Sequence, residues 1–291
     1  MPRTTSGLRT DPATRLAELE RQRPEWHTWL TLLGEVEEAS RQSSVGSHQS
    51  PVSSRQSPVS SEEPLLHHCT LNVDAGQLHR QLLRLLSIAA SGDVAGGATL
   101  GGYRPSRAVA VALLLAAVRQ QPSELGAVAD AAGVNREALT SIAHLAVFPL
   151  LQACGRRLED QVPQFWPHGY CPICAAWPIL AERRGLDRTR RMRCGRCGGE
   201  WELQWLCCVY CGERQHERLG SLIPEGRGEM LKVETCSSCK GYLKSVATLQ
   251  GIPPFELLLQ DLETVELDLV ALERGFGRPE ECGFSLEVRV S

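Results

Sequence analysis

The sequence predicts an α+β multidomain chain in which an α-helical N-terminal domain is followed by two tandem four-cysteine ribbon modules and a C-terminal helix. Three observations carry this. Apolar residues recur at helical spacing in four stretches before residue 151, four Cys-x-x-Cys pairs fall between Cys171 and Cys239, and a further helical period runs from Phe255 to Leu272 with Leu258, Leu262, Val265, Leu269 and Leu272 on one face. The implied division is N-terminal helices over 1–39, a disordered Ser/Pro-rich insertion over 40–62 and a helical domain over 63–165. A tandem ribbon domain over 166–250 and a C-terminal helix with its tail over 251–291 complete it. A chain of 291 residues, 42% of them apolar, has enough material for more than one core.

The first helical stretch, Asp11 to Ala39, has Asp11 as a cap, Pro12 at a first helical position, and Leu16, Leu19, Trp26, Trp29, Leu30 and Leu33 in phase. Pro24 divides it. From Ser40 to Ser61 the composition turns to Ser, Gln, Pro and Val, with the near-duplicated words SPVSSRQ and SPVSSEE at Ser50 and Ser57. So little apolar surface does not offset the entropy of ordering, which predicts disorder. The helical period resumes in Leu78–Ile88, Ala108–Val118 and Leu139–Leu150, separated by the glycine-rich loop Gly92–Gly102 and a break at Gln121–Ser123.

Two nucleotide-related patterns fail on their residues. Gly96 to Gly102 lacks the lysine and hydroxyl residue of a phosphate loop and reads as a flexible connector. Leu125 to Leu139, with a turn at Gly133, has a helix-turn-helix outline, but Arg136 is its only base. The formal charge of −3 gives no general attraction to polyanions, so nucleic acid is not an expected partner. Residues 1–20 lack an apolar signal core, and Ala108–Val118 is shorter than the roughly 20 residues of a membrane span, so neither export nor membrane insertion is expected.

Without an export signal, twelve cysteines favour metal binding over a disulfide framework. The pairs are Cys171/Cys174, Cys194/Cys197, Cys208/Cys211 and Cys236/Cys239; Cys69, Cys154, Cys207 and Cys282 stand outside them and read as small buried or incidental thiols. Two intervening residues let a tight turn aim both sulfurs at one ion, and two such turns complete a tetrahedral site. Nineteen residues separate Cys174 from Cys194 and twenty-four separate Cys211 from Cys236, which favours joining the first pair to the second and the third to the fourth. Gly198, Gly212 and Gly241 suit the turns, and Ala175 departs from this pattern. No pair is followed by His and none sits in a βαβ pattern, which counts against haem attachment and a thioredoxin-like site. Disulfides or redox dithiols, and an iron–sulfur cluster, are the competing uses. A closed four-cysteine site leaves no coordination position for substrate, so no catalytic residue is assigned and the chain is not expected to be an enzyme.

Seven arginines (Arg183, Arg184, Arg188, Arg190, Arg191, Arg193 and Arg196) crowd the arm between the first two pairs. A solvated face, an acidic protein partner and a nucleic-acid surface are the three readings. His168 and His216 flank the ribbons and read as surface residues or supports rather than ligands.

The strings CPICAAWP, MRCGRCGGEWELQWLCCVYCG and ETCSSCKGYLK, spanning Tyr170 to Lys244, resemble the FdhE family of formate dehydrogenase accessory proteins. That resemblance implies a cytoplasmic maturation factor that binds the catalytic subunit of a molybdenum-containing respiratory formate dehydrogenase before twin-arginine export. It also implies tandem rubredoxin-like sites holding two iron ions, with zinc as the alternative ion, on Cys171, Cys174, Cys194, Cys197, Cys208, Cys211, Cys236 and Cys239. The runner-up functions are a zinc-ribbon nucleic-acid-binding protein and a thiol redox protein.

Overall fold

The computed structural model describes residues 11–46, 51–55, 62–224 and 230–291. The chain divides into two compact units, Met1–Val45 with Ala75–Leu114 and Pro122–Pro149, and Gly46–Asp74 with Leu115–Gln121 and Leu150–Ser291. The helical stretch expected over 63–165 is therefore shared between them.

In the first unit, the Asp11 carboxylate accepts from Thr14 N at 3.4 Å and caps α1 (Pro12–Gln22). Pro24 opens a short 3-10 turn before α2 (His27–Gly46). Helix α2 thus runs beyond Ala39 into the stretch expected to be disordered. Ser40 is buried there and its hydroxyl donates to the Val36 carbonyl at 2.9 Å, so the helix itself satisfies the polar side chain. Helices α3 (Ala75–Ser91), α4 (Arg107–Arg119), α5 (Pro122–Ala132) and α6 (Arg136–Leu158) follow, the last turns of α4 and α6 belonging to the second unit. Leu32, Val36, Leu85, Leu86, Leu113 and Leu139 are among the buried side chains, each worth about 1.5–3 kcal/mol.

The loop expected as a flexible connector is ordered around a 3-10 turn, Gly97–Leu100, with Leu100 buried. Thr99 Oγ1 accepts from Asn135 N at 2.9 Å, and the Asn135 side chain caps α6 through Ala138 N at 2.8 Å. Arg136, the single base of the helix-turn-helix outline, is paired with Asp130. Among the described residues one helix, Arg136–Gln161, is long and apolar enough to cross a membrane by length and composition, and 67% of its most apolar window is buried.

The second unit carries two sheets. Strands β1 (Val52–Arg55), β2 (Cys69–Leu71) and β9 (Val288–Val290) form the smaller, with β1 antiparallel and β9 parallel to β2. Strand β1 is a second departure from expected disorder, since antiparallel pairing with β2 gives its backbone groups partners. Residues 1–10, 47–50 and 56–61, with half of the duplicated words, lie outside the described residues.

The larger sheet has the order β5-β4-β3-β8-β7-β6, built from β3 (Leu180–Arg184), β4 (Thr189–Arg193), β5 (Glu200–Glu202), β6 (Leu219–Leu222), β7 (Leu231–Cys236) and β8 (Tyr242–Thr248). Each half is an antiparallel three-stranded meander, and the halves join through parallel pairing of β3 with β8, from Leu180↔Lys244 to Arg184↔Thr248. The fold is thus α+β with tandem ribbon modules, and the two modules share one sheet.

The single closing helix expected over Phe255–Leu272 is two helices, α7 (Pro254–Glu263) and α8 (Val265–Glu273), broken at Thr264. The break resets the helical phase. Phe255, Leu257, Leu259, Leu267 and Ala271 are buried, whereas Val265, Leu269 and Leu272 of the expected apolar face are exposed. Asp261 and Asp268 face inward instead and pair with the fully buried Lys244 at 2.5 and 2.7 Å. Arg278 joins both carboxylates, so no ion in this cluster is left uncompensated.

The arginine arm is solvated only in part: Arg188 at its turn is exposed, whereas much of the rest is paired or buried. Arg183, Arg190 and Arg193 are buried, Arg190 pairs with Glu234 at 2.6 Å and Arg193 pairs with the buried Glu182. Arg184 bridges Glu182 and Glu200, both at 2.7 Å. Strand β3 lies in the middle of the sheet with both faces covered, so charged residues near it need partners from neighbouring strands.

Candidate metal centre

All four Cys-x-x-Cys pairs fold into the same turn. The first cysteine N–H donates to the carbonyl five residues on: Cys171 to Ala176 at 2.8 Å, Cys194 to Gly199 at 2.9 Å, Cys208 to Glu213 at 2.8 Å and Cys236 to Gly241 at 2.9 Å. The residue after the second cysteine takes a left-handed φ: 61° at Ala175, 76° at Gly198, 72° at Gly212 and 58° at Lys240. Lys240, rather than the expected Gly241, therefore makes the fourth turn. Gly241 is needed for another reason, because a Cβ there would lie 2.5 Å from Tyr210 Cδ2.

These turns place the pairs at corresponding positions of the two meanders. In each module one turn precedes the first strand and the other joins the second strand to the third. Cys171, Cys174, Cys194 and Cys197 converge in one cluster, and Cys208, Cys211, Cys236 and Cys239 in the other. Cross-pair Sγ···Sγ distances are 3.5 Å for Cys171–Cys197, 3.4 Å for Cys174–Cys194, 3.6 Å for Cys208–Cys239 and 3.8 Å for Cys211–Cys236. An ion held at about 2.3 Å by four thiolates sets a tetrahedral edge near 3.8 Å, whereas a disulfide needs about 2.05 Å. The donor sets therefore fit a tetrahedral thiolate-bound ion, and this geometry is common to iron and zinc.

The surroundings also suit negative sulfur. Ile173 N and Arg196 N each donate to a cysteine sulfur of the first cluster at 3.4 Å, and Gly241 N donates to Cys239 Sγ at 3.3 Å. Burial pushes the Cys171 thiol well above the ordinary range, while hydrogen bonds from Cys171, Cys174 and Cys197 hold Cys194 well below it. Metal binding releases protons from such thiols, so a close set of four sulfurs suits a bound cation. In the second cluster burial pushes Cys239 up to about 11.

The clusters differ in cover. The first is buried: Leu65 N and Leu66 N donate to the Pro172 and Ile173 carbonyls at 2.7 and 3.0 Å, Arg196 donates to the Ala117 carbonyl, and Gln152 Nε2 donates to the Arg196 carbonyl at 3.0 Å. In the second, Cys211 and Cys239 are exposed. Its two turns are held to each other by Glu213, which accepts from Ser238 Oγ at 2.7 Å and from Arg218 at 3.3 Å. Trp177 lies edge-on to Tyr170, beside the first turn, and to Tyr210, inside the third, at ring separations of 6.2 and 5.2 Å.

The remaining cysteines stay outside both clusters. Cys69, Cys154 and Cys207 are buried and Cys282 is partly exposed. Cys207 Sγ is directed to the Cys208 carbonyl at 3.5 Å. His168 stacks on Tyr170 at 4.8 Å, and neither it nor His216 enters a cluster. The buried Lys244–Asp261–Asp268–Arg278 group had no signal in local sequence beyond the apolar setting of Lys244, since its members lie far apart in the chain.

Residues 206–282 match the family model described as the FdhE C-terminal domain. A protein FdhE homolog of Stutzerimonas stutzeri (strain A1501) is 36% identical over 126 residues, covering 42% of this chain and 38% of that protein. A protein FdhE homolog of Aquifex aeolicus (strain VF5) is 28% identical over 121 residues, covering 40% and 41%. Over these matched residues the chain is similar to the FdhE family. The matched stretch spans less than half the length of these FdhE relatives. The crystal structure of the FdhE protein from Pseudomonas aeruginosa shares the fold across 93% of this chain and 92% of its own, with a TM-score of 0.57 and 21% identity. The tandem four-cysteine ribbons are thus set within an FdhE-type architecture.

Proposed function

We propose that the chain is a cytoplasmic maturation factor for a molybdenum-containing respiratory formate dehydrogenase, and that it binds the catalytic subunit before twin-arginine export. The observation that carries this reading is the coincidence of similarity to FdhE proteins with two clusters of tetrathiolate dimensions. The eight clustered cysteines are the ligands, and two iron ions in rubredoxin-like sites are the assigned cofactors, with zinc as the alternative. Both sites use all four positions on protein sulfur, so their role is to hold the module and present its surface rather than to activate a substrate. Arg184, Arg190 and Arg193 are engaged by Glu182, Glu200 and Glu234, which counts against a nucleic-acid surface on this arm.

Deleting the gene should lower membrane formate dehydrogenase activity without lowering the enzyme's transcripts. Normal activity in a strain with no second copy overturns the assignment. Metal analysis with a visible spectrum separates the ions, because iron tetrathiolate absorbs visible light and zinc does not.

A further inference from the structure

The two clusters share a donor set and a turn, yet their access to solvent differs. Cys171, Cys174 and Cys194 are 0% exposed and Cys197 2%, whereas Cys211 and Cys239 lie open. The cover over the first cluster comes from segments outside its ribbon: residues 65–66, Ala117 and Gln152 all bond to its turns. Helix α6 closes in so tightly that a Cβ at Gly155 would lie 1.9 Å from the Cys197 carbonyl oxygen. Reaching those sulfurs requires these contacts to open together.

The second cluster has its exposed ligands in the wall of a cleft of about 570 Å³ that is also lined by Trp177, Tyr210, Gly277 and Arg278. Cys211 and Cys239 come from different turns, so an incoming donor in the cleft meets one sulfur from each half of the tetrahedron. Small, soft donors match the preference of a thiolate-bound ion.

We propose that the second four-cysteine site exchanges its ion with small thiolate donors that enter by this cleft, while the first site retains its ion. The proposal rests on the reading of both clusters as metal sites. The exchange is a ligand substitution without change of oxidation state. A lone pair of the incoming thiolate forms a new metal–sulfur bond, the bond to Cys211 or Cys239 breaks, and the freed cysteine thiolate takes a proton from solvent. Repetition at the remaining sulfurs carries the ion to the competing donor. Division of labour follows: one site fixes the fold, and the other is open to the chemistry of the surrounding medium.

The test uses the full chain loaded with zinc, a small dithiol as competitor and a chromogenic chelator to read released zinc. Metal analysis comes first, and fewer than two ions per chain would refute the metal reading itself. With two ions bound, release should occur in two phases of one ion each, the second at least about tenfold slower because it waits on local opening. Cys208→Ser should remove the fast phase and leave the slow one. Gly277, whose position leaves open space for a side chain, allows the cleft to be filled. Gly277→Phe should slow the fast phase and leave the slow phase unchanged. A single rate for both ions, a fast phase that survives Cys208→Ser, or a fast phase indifferent to Gly277→Phe overturns the proposal.

Discussion

Replacing Glu182 by leucine removes the acceptor on which the middle of the large sheet depends. Its Oε1 accepts from Arg193 and from Ile252 N at 2.9 Å, and its Oε2 from Arg184 Nε and Nη2 at 2.9 and 2.7 Å. Arg184 keeps Glu200 and is partly exposed, so it loses little. Arg193 is the member left exposed to the cost. Its side chain is 4% accessible and burial already pulls its guanidinium below the ordinary range; after the change it retains the Ile252 carbonyl at 2.7 Å and Glu200 at 3.8 Å. Breaking one side of a buried ion pair costs about 3–5 kcal/mol, a large share of the roughly 5–15 kcal/mol that holds a domain together. At a urea slope of about 2 kcal/mol per M, the midpoint should fall by about 2 M. Urea unfolding followed by tryptophan fluorescence measures it, since Trp201 is buried on the adjoining edge of the sheet. Glu182→Leu combined with Arg193→Met removes both charges and should recover most of the loss. A single variant within about 1 kcal/mol of the parent, or a double variant less stable than the single, refutes the reasoning.

Further outcomes follow from the same contacts. Cys207→Ser should retain two ions per chain and Cys208→Ser one, as read by metal-to-protein ratio, because only Cys208 of the two enters a cluster. Ala175→Gly should stabilise the first turn by about 0.5–1 kcal/mol by relieving a left-handed φ. Gly198→Ala should destabilise by about 1–3 kcal/mol, since its Cβ would also lie 2.9 Å from Pro254; thermal melts of the two variants should move in opposite directions. Burial pushes the Cys154 thiol up to about 12. Its neutral form therefore contributes fully below about pH 9, and that contribution is lost as pH rises toward 12. Cys154→Ala should flatten this part of the alkaline stability profile, and a profile as steep as the parent's would place the loss elsewhere. Removing the metal should unfold the ribbon sheet, seen as loss of the strand signal in circular dichroism, because structural ions supply about 10–16 kcal/mol of apparent folding energy in small four-ligand modules.

Features fixed by neighbours in the chain were legible, and those fixed across the sheet were not. Pro24 announced the break between α1 and α2, and the two-residue spacing within each cysteine pair announced the four turns. The sequential grouping of those pairs followed from loop length and agrees with the clusters found. The charge run Arg183–Arg196 carried no sign of its burial, because Glu182 and Glu200 are near in sequence but Glu234 and Ser245 arrive from the other module. Thr264 gave no clear stop signal, so two helices were read as one and their apolar phase was misplaced. Lys240 is a poor sequence marker for a left-handed turn; the glycine beside it drew attention for a property that it does not supply.

The parallel seam between β3 and β8 joins unlike partners: the first strand of one meander meets the third strand of the other. Such a head-to-tail joint does not close on itself. The sheet therefore ends in the same two kinds of strand, β5 as a third strand and β6 as a first, each with one side unpaired in the strand order. A further copy could in principle add at either edge by repeating the seam. Length opposes this growth, for β5 has three residues and β6 four, against five in β3 and seven in β8. Short edge strands offer few ladder hydrogen bonds to an incoming chain. The repeated ribbon thus carries its own terminator, and lengthening β5 or β6 would turn a finite pair of ribbons into the unit of a fibre.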